Sequence, residues 1–147
     1  MPTDRRRGTF VITACSANDV PELAALDRSM WGDSANPRTL YRQLIDIFPR
    51  MVLVARDSGG ALAGFSVMLF NAVTRHGWIL SIDLHQDFRG QGLGRSLVSA
   101  MIDELGTLGA ERITAIIDPS NEVSQRLFRS FGFERLATER DYFGPAK

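Results

Sequence analysis

The residues best equipped for chemistry lie between Ile82 and Leu97, in the run Ile-Asp-Leu-His-Gln-Asp-Phe-Arg-Gly-Gln-Gly-Leu-Gly-Arg-Ser-Leu. An apolar, strand-like run from Trp78 to Leu84 enters a turn in which Gly90, Gly92 and Gly94 fall at alternate positions. Leu93, Leu97, Met101 and Leu105 then recur four apart, the spacing of one helix face. Strand, glycine loop and helix N-terminus follow one another here. Glycine permits positive φ and close approach of a ligand to the main chain, and the first helical turn leaves its N–H groups unpaired. Such a place attracts phosphate.

Spacing narrows the choice of phosphate ligand. A dinucleotide fingerprint, Gly-x-Gly-x-x-Gly with an acid about 20 residues further on, fails because Arg95, Ser96 and Leu97 follow Gly94 without a third glycine. A P-loop would need a Lys at the helix start, and none is there. The pattern that fits is Arg/Gln-x-x-Gly-x-Gly, met by Arg89, Gly92 and Gly94. In this the chain resembles the GNAT superfamily of N-acetyltransferases, whose loop of this form holds the pyrophosphate of acetyl-CoA. A bare tight loop without a ligand is the plainer reading of the hexapeptide alone.

The elements around this loop are legible from patterning. Thr9 to Ala14 reads as a strand, and Ser16 to Asp19 offers N-caps for a short helix with Val20, Leu23, Ala24 and Leu26 on its face. Trp31-Gly32-Asp33-Ser34 breaks it, and Pro37 opens a second helix carrying Leu40, Tyr41, Leu44, Ile45 and Phe48. Met51 to Arg56 and Ala61 to Leu69 flank Asp57-Ser58-Gly59-Gly60 as a hairpin. Trp78 to Leu84 is apolar at nearly every position, as a strand covered on both faces should be. The long helix ends near Gly106 to Gly109, Arg112 to Ile117 is again a strand, a short helix runs from Val123 to a C-cap at Gly132, and Phe133 to Tyr142 reads as a final strand. Strand, helix, strand implies a parallel pair with a right-handed crossover.

The order β-α-α-β-β-β-α-β-α-β is that of the GNAT fold, and Asn121 followed by Leu127-Phe128-Arg129-Ser130-Phe131-Gly132-Phe133 resembles that family's Asn and Leu-Tyr-x-x-x-Gly-Phe signature. The resemblance is strongest from residue 76 to 134. It implies an α/β fold: one domain over residues 1–147, a central mixed sheet of six or seven strands flanked by four helices, and a splayed parallel pair at strands 4 and 5. It further implies acetyl transfer from acetyl-CoA directly to a primary amine of a small molecule or peptide. Ile82 and Leu84 would pair with the pantetheine like an added strand, and the Leu84 N–H would face the oxyanion. The N–H groups of Gln91, Gly92, Leu93, Gly94 and Arg95 would hold the pyrophosphate, with Gly90 in the turn and Arg89 and Arg95 adding charge. Asn121 would bond the pantetheine arm or merely form a turn after Pro119, and Phe128 would lie beside the sulfur. Trp31, Tyr41 and Phe48 are either walls of the acceptor pocket or ordinary core aromatics.

Three departures from the family matter. Phe128 stands where many members have a Tyr general acid, which leaves the thiolate to depart unaided, as a group of pKa near 8.5 can, or turns attention to Tyr142. Ile116 stands where some members have a Glu base, so Asp83, placed at a bulge of the fourth strand, is the best-situated carboxylate. Asp83 could instead pair with an Arg, and His76 and His85 read as surface residues. The family also completes its sheet after a turn such as Tyr142-Phe143-Gly144-Pro145, beyond which only two residues remain. An exposed edge is therefore expected at residues 134–142, with a second protomer as one possible cover in a homodimer.

Composition bounds the rest. With 17 basic and 17 acidic side chains the formal charge is zero, giving no reason to expect a nucleic-acid or membrane partner. Cys15 is the single cysteine, no apolar run approaches the roughly 18 residues of a spanning helix, and no signal-peptide core is evident, so a cytoplasmic setting is expected. Arg5-Arg6-Arg7 falls in a tail, residues 1–8, expected to be flexible. No metal is called for. Competing functions are a non-catalytic acyl-CoA-binding module and a nucleotide-binding domain of another class.

Overall fold

Five strands form one mixed sheet in the order β1-β2-β3-β4-β5. They are β1 (Val11–Ala14), β2 (Val52–Arg56), β3 (Leu62–Asn71), β4 (His76–Leu84) and β5 (Arg112–Ala115). The computed structural model describes residues 9–139 and Tyr142, so the Arg5-Arg6-Arg7 tail lies outside the described residues. The chain divides at Ile116/Ile117 into two compact units. The first holds the sheet with helices α1 (Val20–Trp31), α2 (Arg38–Ile47) and α3 (Leu93–Thr107), and the second holds α4 (Glu122–Ser130).

Neighbouring strands are antiparallel from β1 to β4, and only β4 and β5 run parallel, joined through α3 as the sequence implies. Alternation along the strands sorts the two faces. Val52, Val54, Phe65 and Val67 pack with Val20, Leu23, Leu26 and Tyr41 of α1 and α2. The intervening residues face α3: a Cβ on Gly64 would touch Leu93, and one on Gly77 would meet Leu105 at 2.9 Å. Leu93, Leu97, Val98, Met101 and Leu105 are all buried, a stripe along α3 whose burial stabilises by about 1.5–3 kcal/mol per side chain.

The expected sixth strand does not form: residues 133–139 are irregular, Leu136 is 84% exposed, and Tyr142 lies in a turn. Glu134, Arg135 and Glu139 break the apolar alternation that would give such a strand a face to bury. The sheet therefore has five strands among the described residues instead of six or seven, and residues 133–139 do not supply the edge expected to receive a second protomer.

Within the second unit, α4 is framed at both ends. The Asn121 side-chain oxygen accepts from the Ser124 N–H at 3.1 Å, an N-cap. At the other end the Phe133 N–H reaches the Phe128 carbonyl at 3.2 Å and the Gly132 N–H reaches the Arg129 carbonyl at 2.9 Å, with φ +89° at Gly132. This is a Schellman motif, and its customary apolar contact is the edge-to-face pair Phe128–Phe133, centroids 5.1 Å apart.

Candidate active site

The C-terminal half of β4 has one main-chain edge beyond the reach of β5. The β4–β5 ladder runs from His76/Arg112 to Ile79/Ala115, leaving Leu80 to Leu84 past its end. On the other side Phe65 pairs with Asp83 and Gly64 with Leu84, and the His85 N–H donates to the Ala63 carbonyl at 2.8 Å. That bond fixes the phase of the antiparallel ladder: Asp83 exchanges hydrogen bonds with β3, whereas Ile82 and Leu84 direct their N–H and C=O groups away from it. The two residues expected to offer main chain to a ligand are the two whose main chain points outward.

The register irregularity of β4 lies elsewhere than expected. Val67 pairs with Ser81 and Met68 with Ile79, so the extra residue is Leu80, not Asp83 or Leu84. The bulge leaves Leu80 49% exposed, and the strand is not covered at every position. Leu80 shares an apolar groove with Phe48, Leu69, Phe70 and Trp78.

Beyond β4 the chain turns through Gln86–Phe88, where the His85 ring accepts from the Asp87 N–H at 3.1 Å, and reaches the glycine loop. Gly90 and Gly92 have φ of +75° and +82°, a region costly to residues with a side chain. Gly92 is the N-cap of α3, and Leu93, Gly94 and Arg95 form its first turn, while Gln91 is tied by its side chain to the Asp87 carbonyl at 3.2 Å. Leu93 is 1% exposed, so its side chain anchors the loop in the core and only its N–H is available to a ligand. Arg89 and Arg95 are exposed. The arrangement is a row of backbone donors at a helix N-terminus, suited to an anion.

Asp83 is buried at 5% exposure on the face covered by α1 and α2, and its Oδ1 accepts from the Trp31 Nε1–H at 3.1 Å. Burial pushes its carboxyl above the ordinary carboxylate range; the Trp31 bond pulls down, the charge of Asp27 pushes up, and Ser81 pulls down. The groups that support its buried charge are thus neutral donors, an indole and a serine, where the sequence had left room for an Arg. A carboxylate in this condition takes up a proton readily.

Sequence reasoning missed Asp27. It is 2% exposed and accepts from the Tyr41 hydroxyl at 2.7 Å and from the Asn36 N–H at 3.0 Å, while the Asn36 side chain reaches the Tyr41 oxygen at 3.3 Å. The signal was present: Asp27 follows Leu23 and Leu26 on the apolar stripe of α1, where an acid requires a donor from another element. Tyr41 is thus core, edge-on to Phe65 at 5.7 Å, and its hydroxyl is driven upward in pKa by burial. Of the three aromatics read either as acceptor-pocket walls or as core, Trp31 is 56% exposed beside Asp83, Phe48 is 41% exposed in the groove, and Tyr41 is core.

The remaining candidates have structural partners. His76 bonds Thr114 at 2.6 Å on the parallel pair, and burial pushes the Cys15 thiol up to about 11, away from nucleophilic use. Tyr142 is 52% exposed. Asn121 and Phe128 belong to the second unit, where they cap α4 and close its C-terminal motif.

The edge of β4 past its ladder with β5 is thus followed, beyond the turn, by a row of backbone donors at the start of α3. Residues 20–133 match the model of the acetyltransferase (GNAT) family, and the chain belongs to that family. It is 26% identical over 136 residues to the [ribosomal protein bS18]-alanine N-acetyltransferase of Salmonella typhimurium, covering 92% of this chain and 88% of that one. It is 33% identical over 101 residues to a mycothiol acetyltransferase of Propionibacterium freudenreichii, covering 67% of this chain and 32% of that longer protein. The fold is shared with the GNAT superfamily phosphinothricin acetyltransferase of Sinorhizobium meliloti solved in complex with acetyl-CoA, at a TM-score of 0.75 and 21% identity, over 86% of this chain and 75% of that one. The protein is an acetyl-CoA-dependent acyltransferase. No helix among the described residues is long and apolar enough to cross a membrane.

Proposed function

We propose that the chain, acting as one catalytic domain in the cytoplasm, moves the acetyl group of acetyl-CoA directly to a primary amine of a small molecule or a peptide. The pyrophosphate rests on the N–H groups of Gln91 to Arg95, with Arg89 and Arg95 near its charge, and the pantetheine lies along Ile82 to Leu84. The observation that carries it is the outward-facing main chain of Ile82 and Leu84, followed after the turn through Gln86–Phe88 by Gly90 and the N-cap Gly92 of α3.

Asp83 takes a proton from the incoming ammonium, an N–H bond breaking as an O–H bond forms. The freed amine attacks the thioester carbon, the Leu84 N–H donates to the developing oxyanion, and the C–S bond breaks with its electron pair on sulfur. Juxtaposition of donor and acceptor can contribute about 7–11 kcal/mol to lowering the barrier. The nitrogen, now bonded to the acyl carbon, sheds its second proton to the departing sulfur or to water, leaving a neutral amide and free CoA; a thiol pKa near 8.5 lets the sulfur depart without a protein acid.

The test is thiol release from acetyl-CoA over an acceptor panel that includes an alanine-initiated peptide and phosphinothricin. Acceptor-dependent thiol release with one acetyl group gained per thiol supports the reading. Tight CoA binding with no acceptor-dependent release across the panel would overturn it in favour of a binding module.

A further inference from the structure

We infer that Trp31 is a positioning residue for acetyl transfer: its indole N–H fixes one oxygen of the Asp83 carboxylate and so sets the plane in which the other receives the amine's proton. The inference rests on the reading of Asp83 as the base. Three observations support it. The bond joins residues 52 positions apart, at 3.1 Å, between the last residue of α1 and β4. Trp31 is 56% exposed whereas Asp83 is 5% exposed, so the indole forgoes much of the burial that usually justifies a tryptophan while giving its single donor to a buried charge.

The third observation is how firmly Trp31 is held. Asp27 and Trp31 lie four apart on one face of α1. The Asp27 carboxylate ties the following segment back to that face through the Asn36 N–H and the Tyr41 hydroxyl. Gly32, at φ +56°, lets the chain leave the helix immediately after the indole. The groups around Asp83 are then Asp27 and Trp31 from α1, Tyr41 from α2, Phe65 from β3 and Ser81 on its own strand. Trp31 is the donor from outside the sheet. It favours the ionised form of Asp83, whereas the charge of Asp27 opposes it.

The decisive variant is Trp31→Phe, which keeps an aromatic ring and deletes the donor. With one acceptor throughout, so that its own ionisation cancels, the acidic limb of kcat/KM should move to higher pH. Activity near the limb should fall about threefold to tenfold and recover above it. In the unaltered protein the Trp31 indole N–H resonance, distinguished from that of Trp78 by Trp78→Phe, should titrate with the midpoint of that limb and stop titrating in Asp83→Asn. This second reading needs no Trp31 variant to fold. An unmoved limb in Trp31→Phe, or an indole resonance that does not titrate, overturns the inference. Normal turnover in Asp83→Asn overturns the base assignment itself, a result separate from a slow Asp83→Asn beside an unaffected Trp31→Phe.

Discussion

Gly64 lies so close to Asp83 that a Cβ on it would stand 2.7 Å from the Asp83 carbonyl oxygen and 3.0 Å from a methyl of Leu84. The glycine on β3 therefore determines how near β4 can come at the residues proposed for oxyanion binding and proton transfer. Gly64→Ala must push that backbone away, and a forced shift in a packed interior costs about 1–3 kcal/mol. We expect a lower melting temperature together with a raised KM for acetyl-CoA, read from denaturation curves and initial rates. Full retention of both would show that β4 is not held by this contact.

Substitution at the helix cap should separate backbone strain from ligand exclusion. Gly92 has open space around it but a φ of +82°, so Gly92→Ala should cost about 1–2 kcal/mol of stability through its conformation alone. Gly92→Glu adds bulk and a negative charge where a diphosphate is to sit, and should abolish CoA binding by calorimetry. Equal CoA affinity in all three proteins would place the phosphates elsewhere.

Asp83→Asn sets stability against activity. Removing a positioned base usually lowers turnover by about 10²–10⁴-fold, and CoA affinity should be unchanged. Because burial raises the pKa of Asp83 in the folded protein, the native state holds this proton more tightly than the unfolded chain does. Its ionisation therefore destabilises the fold at neutral pH, and the penalty disappears as pH falls through the folded pKa toward the unfolded value. Asp83→Asn should melt higher than the parent at pH 7, with the difference shrinking in acid. A melting difference independent of pH would contradict this account.

Away from the site, Arg56 joins β2 to the start of α1. It reaches Asp19 at 2.8 Å, Glu22 at 3.0 Å and the Gly60 carbonyl at 2.9 Å. The guanidinium is only 24% exposed and Asp19 18%, so screening by solvent is partial. Arg56→Ala should lose about 1–2 kcal/mol by chemical denaturation, with a smaller loss at high salt and no change in KM for acetyl-CoA.

Much of this arrangement is written locally. Gly90, Gly92 and the four-residue spacing from Leu93 to Leu105 specify the loop and α3 because turn geometry and helix periodicity are properties of neighbouring residues. The hairpin of β2 and β3 is legible for the same reason. What is not legible depends on partners distant in sequence. Phe133 to Glu139 contains strand formers but no pattern that would secure a place in the sheet. The bulge falls at Leu80 because of register against Val67 and Met68, and no feature within β4 announces it. The Trp31 bond likewise depends on α1 continuing to Trp31, where local sequence suggested the helix was already broken, and the Asp27–Tyr41 pair joins residues of two different helices.

The early end of the β4–β5 ladder has a further consequence for the protein when its donor is scarce. An open strand edge of this kind is a template for pairing with another extended chain, another copy's included, and the exposed Leu80 lies on it. On the proposed placement of the pantetheine, acetyl-CoA would cover this edge, and the protein should self-associate less with CoA bound than without it.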